Sequence, residues 1–179
     1  MNMADSQTEA SRVIRGWHFI VEAFAAIGTV LIGVLMLIIC ADIAARNLMG
    51  ASLPLVSEGG ALLVVTLVAL QLAATVRAGR LARTEFVLDV VKTRAPRAAA
   101  FMQAAFNAIG AAILGTIAWA SIRVLEKDLN AAEYIGITGM ATLPTWPFRA
   151  LILAGFAIAA IEFVVATLGA IRAVAKAGR

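Results

Sequence analysis

The sequence predicts an all-α membrane protein: four transmembrane helices, with an amphipathic interfacial helix on the cytoplasmic side between the second and third. Three observations carry this. Four stretches, about 19–41, 59–76, 98–122 and 148–171, are long, apolar and nearly free of charge. Each is close to or above the ~20 residues that a helix needs to cross a hydrocarbon core. Hydrophobic residues make up 62% of the chain against 15% charged, and mean hydropathy is +0.93, which excludes an ordinary water-soluble domain. The basic residues flank the apolar runs instead of forming a solvated patch interleaved with aromatics, so the net charge of +4 does not point to nucleic acid. At 179 residues the expectation is one domain, 1–179, built as a bundle of four spans with short connections and tails.

Met1 to Ser11 is polar and acidic, and the apolar run after it is too long for a signal-peptide core, so 19–41 is expected to be a retained first span. Cys40, the lone cysteine, lies near its end and excludes an intrachain disulfide. The first connection, Asp42 to Glu58, holds the breakers Gly50, Ser52 and Pro54, and Asp42 and Arg46 are spaced to pair on a continuing helix. Between the second and third spans, about 80–93, Leu81, Val87, Leu88, Val90 and Val91 share one arc at 100° per residue, opposite Glu85, Asp89 and Lys92. Such a segment lies along headgroups with its apolar arc down, and Pro96 stops it. The connection from Leu125 to Pro147 is acidic and turn-rich, with Trp146 at the expected membrane boundary and Pro147 in the first turn of the fourth span.

Eleven of the fifteen lysines and arginines fall in the N-tail, the second connection and the C-tail. Arg46, Arg123, Lys127 and Arg149 fall on the other side. The positive-inside rule then places both termini in the cytoplasm.

Polar groups at membrane depth are costly and need partners. Glu162 lies midway along the fourth span at about the depth of Asn107 in the third, while Gln71, Gln103 and Glu22 occupy the inner half. These five are expected to form a polar layer, either satisfying one another inside the bundle or docking a neighbouring subunit. An ion or proton path through Glu162 is the rival, but one central carboxylate with amide neighbours is thin for conduction. Ala105, Gly110, Ala112 and Gly115 would let another helix approach the third span closely. No catalytic constellation, phosphate-binding glycine loop or metal-ligand cluster is present, and His18, the only histidine, beside Trp17, reads as an interfacial residue. The chain is therefore expected to be neither an enzyme nor a cofactor binder.

The order of these features resembles the small membrane subunit (DctQ-like) of tripartite ATP-independent periplasmic, or TRAP, transporters. The resemblance is carried by Asp42 and Arg46 closing the first span and by Pro54 to Glu58 before the second. It continues through Arg77-Ala78-Gly79-Arg80, Val87-Leu88-Asp89-Val90-Val91 and Leu143-Pro144-Thr145-Trp146-Pro147. Where members often carry two adjacent glutamates, this chain has Glu58 followed by Gly59 and Gly60. The resemblance implies a non-catalytic scaffold in a bacterial inner (cytoplasmic) membrane. Its expected partners are a large multi-span TRAP permease subunit, a periplasmic substrate-binding protein and membrane lipids, with an organic anion such as a carboxylate or acidic sugar carried with sodium. Arg46, Glu58, Gly79, Arg80, Pro144 and Trp146 are the expected partner contacts. A self-sufficient homo-oligomeric transporter using Glu162 and the small subunit of a tricarboxylate-type system are the alternatives.

Overall fold

The computed structural model describes residues 3–53, 55–78, 96–131, 133–137 and 141–176. They form helices α1 (Met3–Met49), α2 (Val56–Arg77), α3 (Pro96–Ala131) and α4 (Trp146–Lys176). Strands β1 (Tyr134–Ile137) and β2 (Ala141–Pro144) pair between α3 and α4. All four helices contain a segment long and apolar enough to cross a membrane: Arg15–Met49, Val56–Arg77, Ala98–Ala131 and Trp146–Arg172. The interfacial helix expected over 80–93 lies outside the described residues, as do Gly79 and Arg80.

Three of the helices overrun the spans expected from the sequence. α1 starts well before residue 19 and continues to Met49, α3 continues to Ala131, and α4 reaches Lys176. Polarity ends an apolar run without ending a helix, since glutamate, lysine, arginine and leucine are all good helix formers. At 1.5 Å per residue α1 is about 70 Å long, far more than a ~30 Å hydrocarbon core, so its polar start projects beyond the lipid. α1 ends where Gly50 adopts φ 68° and donates its N–H to the Arg46 carbonyl at 3.1 Å, a left-handed cap that suits glycine. The turn-rich stretch before α4 is an antiparallel hairpin with Tyr134 opposite Pro144 and Ile137 opposite Ala141.

The four helices pack against one another through α2 and α4. They form an open row in the order α1, α2, α4, α3: α2 packs on α1 and α4, and α3 packs on α4. The cause lies in two facing pairs of small residues. Gly155 and Ala159 of α4 meet Ala69 and Ala73 of α2, all four buried, which lets the two backbones approach closely. A Cβ on Gly155 would stand 2.5 Å from the Ala69 carbonyl oxygen. On the other side of α4, Phe163 packs over Gly110 of α3. Of the small residues noted on α3, Gly110 makes this contact, whereas Gly115 faces open space and Ala105 and Ala112 are exposed. The core cluster of Val21, Ala73 and Ala159, with Trp17 and Leu114 against it, lies where the row is best covered.

With successive helices antiparallel, α1 begins and α4 ends at the same end of the helix axes, here called the terminal end; the first connection and the hairpin share the opposite, hairpin end. Thr29, Thr66, Thr75, Thr116, Thr167 and Ser121 each donate their hydroxyl to the carbonyl four residues earlier. No hydroxyl among these six is left unsatisfied in an apolar surrounding.

Candidate functional site

Two carboxylate clamps shape the hairpin end. Asp42, buried near the end of α1, accepts hydrogen bonds from the Ser52 hydroxyl at 2.6 Å and the Leu53 N–H at 2.8 Å. It also pairs with Arg46 at 3.1 Å, the i,i+4 partner that the spacing allows. One side chain thus folds the first connection back onto the helix that precedes it. Leu55 follows in the left-handed region, φ 71°, and accepts the Gly59 N–H at 2.7 Å. A leucine there is uncommon and costs on the order of 1 kcal/mol. It starts α2 so that Glu58 is exposed in the first turn.

The second clamp is Asp128, 1% exposed in the last turns of α3. Its Oδ2 accepts the Thr145 hydroxyl at 2.6 Å and forms an ion pair with Arg149 of α4. Thr145 also ties the hairpin closed, since its N–H donates to the Glu133 carbonyl at 3.2 Å, an oxygen that lies 3.0 Å from the same hydroxyl. The surface pair Lys127–Glu133, at 3.0 Å, adds little. Asp128 therefore fixes the hairpin to both helices that flank it. The hairpin in turn leans on α2, where Ile135 sits beside Gly59.

Of the expected partner contacts, Glu58, Pro144 and Trp146 are brought to this end and are exposed, together with Arg46 beside its clamp. Below them an apolar groove of about 410 Å³ runs between α1, α2 and the hairpin, lined by Val34, Ile38, Leu55, Gly59, Leu143 and Phe148 among others.

The expected polar layer is distributed differently. Glu162, buried, accepts a 2.7 Å hydrogen bond from the Trp17 indole N–H, joining α4 to α1 past the end of α2. Glu22 lies 3.7 Å from Arg77. Gln71 is half-buried against Gly28, and Gln103 is half-buried on α3. Asn107 is 2% exposed, with its Oδ1 lacking a hydrogen-bond partner among the described residues. No hydrogen bond links any two of these five among the described residues. Arg77, marked in the sequence only as the start of the Arg77-Ala78-Gly79-Arg80 run, is a hub towards α1: it donates to the His18 carbonyl at 3.3 Å and contacts His18 Nδ1. Nothing local to Arg77 marks that role, because its partners lie 55 or more residues earlier in the chain. Among the described residues no group of histidine, cysteine, aspartate or glutamate side chains could hold a metal ion.

Among the described residues the arrangement is one of carboxylate clamps and exposed surfaces. No curated protein and no solved structure matches the chain. The family model for "Tripartite ATP-independent periplasmic transporters, DctQ component" matches residues 35–173, which contain the last third of α1, all of α2 and α3, both clamps, the hairpin and nearly all of α4. The chain belongs to the DctQ family, the small permease component of TRAP transporters.

Proposed function

We propose that this chain is a non-catalytic brace for a large multi-span permease subunit, in a sodium-coupled system for an organic anion, a carboxylate or acidic sugar, delivered by a periplasmic binding protein. The observation that carries the reading is the open row. Only 6% of the residues in the most apolar window of α1 and 11% in that of α3 are buried within the chain, so beyond the faces packed on α2 and α4 the two helices leave a broad apolar surface for another protein to cover. Family membership supports the same reading, because a DctQ component works within a tripartite transporter. The chain acts as a single membrane domain in the bacterial inner membrane with both termini cytoplasmic, a topology supported by the placement of eleven of its fifteen basic residues. The hairpin end then faces the periplasm, where Arg46, Glu58, Pro144 and Trp146 surround the surface offered to the binding protein. Gly79 and Arg80, outside the described residues, belong to the second connection, which the same charge distribution assigns to the cytoplasmic side.

Glu162 has a structural role in this account, since its carboxylate is engaged by Trp17. Reconstitution tests it. The chain alone in liposomes should move no solute, and uptake should appear when the large subunit and binding protein are supplied with a sodium gradient. Glu162→Gln, which retains an acceptor for Trp17, should keep at least half of that uptake. Flux from the chain alone, abolished by Glu162→Gln, would establish it as a transporter in its own right.

A further inference from the structure

At the terminal end, a side-opening cavity of about 680 Å³ lies between α1, α2 and α4. Its lining is of two kinds: apolar Val76, Ile161, Val165 and Ala166, and the polar tips of Trp17, His18 and Arg77 with the buried carboxylate of Glu162. Ile161 and Val165 are both exposed, so the apolar side continues onto the lipid-facing surface of α4. The donors of the polar side are only partly used. The Arg77 guanidinium has five N–H groups, and its described partners are the His18 carbonyl, His18 Nδ1 and Glu22, the last through a long 3.7 Å contact. The His18 ring, against Arg77 through Nδ1, adds a second polar group beside the guanidinium. A fixed cation beside an imidazole, at the mouth of an apolar trough inside a membrane-spanning region, matches a molecule with a phosphodiester at one end and hydrocarbon at the other.

We infer that this cavity holds a single phospholipid, its phosphate on the N–H groups of Arg77 that His18 leaves free and an acyl chain along Val76, Ile161 and Val165. The Glu162 carboxylate, engaged by Trp17, borders the chain and repels a phosphate from the deeper part, which sets the orientation of the lipid. The site needs only this chain, so it stands or falls separately from the bracing of a larger subunit.

Trp17 supplies the readout. In the full chain carrying Trp119→Phe and Trp146→Phe, Trp17 is the sole indole, and phosphatidylethanolamine with brominated acyl chains, titrated into detergent-solubilised protein, should quench it saturably. Arg77→Gln should raise the half-quenching concentration roughly tenfold, the worth of one charge-assisted contact. Arg77→Lys should recover part of the loss, and Arg123→Gln, exposed towards the hairpin end of α3, should leave the titration unchanged. If Arg77→Gln does not fold, His18→Ala provides the same comparison. Equal quenching by brominated diacylglycerol, which lacks the phosphate, would overturn the inference. So would full competition by inorganic phosphate, or an Arg77→Gln or His18→Ala titration superimposable on the parent, as expected if another segment of the chain fills the cavity.

Discussion

Gly155→Ala is expected to loosen the centre of the row. The new Cβ would sit 2.5 Å from the Ala69 carbonyl oxygen and 2.6 Å from its carbon. Both are backbone atoms of α2, and neither can swing aside. The helices must separate, and every contact between α2 and α4 weakens with them, at a cost of about 1–3 kcal/mol for overpacking by one methyl. Gly110→Ala is the informative comparison: its Cβ would meet the Phe163 ring at 2.8 Å, but a side chain can rotate away, so the loss should be smaller. Gly169→Ala, with nothing within 4 Å, should be neutral within about 0.5 kcal/mol. Thermal unfolding in one detergent should rank the three in that order. A neutral Gly155→Ala would mean that α2 and α4 are not in contact there.

The second large effect is expected at Asp128. Asp128→Ala removes the acceptor for the Thr145 hydroxyl and the counter-ion of Arg149 in one step. Breaking a buried pair by deleting one partner costs about 3–5 kcal/mol. The lower figure applies here, because Arg149 keeps a third of its side chain accessible and can turn to water. The damage should be local. With Thr145 released, the hairpin loses its tie to α3, and protease cleavage between residues 132 and 145 should accelerate well before the helices unfold. Asp128→Asn keeps an acceptor for Thr145 without the charge, and should fall between the two. Because the hairpin is the surface proposed to meet the binding protein, Asp128→Ala should also weaken that encounter while leaving the membrane assembly intact.

The sequence exposes the spans and conceals their arrangement, for physical reasons. Apolar runs such as 148–171 report the solvent they face, and lipid is a strong enough filter that four runs give four helices. Helix ends are a different matter: Arg123 to Ala131 is polar enough to leave the lipid yet rich in helix formers, so α3 continues. The open row depends on Ala69, Ala73, Gly155 and Ala159, small residues four apart on two helices. That spacing was legible, but alanine is too common in this chain for the pattern to stand out, and attention falls on the glycines of α3 instead. The hairpin could have been found from Ile135, Ile137 and Thr142 alternating around glycine; the same glycines also mark ordinary turns. At the candidate surfaces, Asp42 and Arg46 were readable because they are four apart. Trp17 and Glu162 are 145 residues apart, and Asp128 meets Thr145 and Arg149 across a connection. Pairs of that kind exist only once the helices are packed.

The central claim is that a larger permease covers the helices at the edges of the row, and site-specific photocrosslinking in native membranes tests it most directly. A photoreactive residue would replace Val30 or Leu37 on α1, or Ile113 or Trp119 on α3, all well exposed, and products would be identified by mass spectrometry. The account predicts that at least one position on α1 or α3 yields, in high proportion, an adduct with one multi-span permease polypeptide. Adducts at all four positions with lipid alone, or with a second copy of this chain, would contradict it.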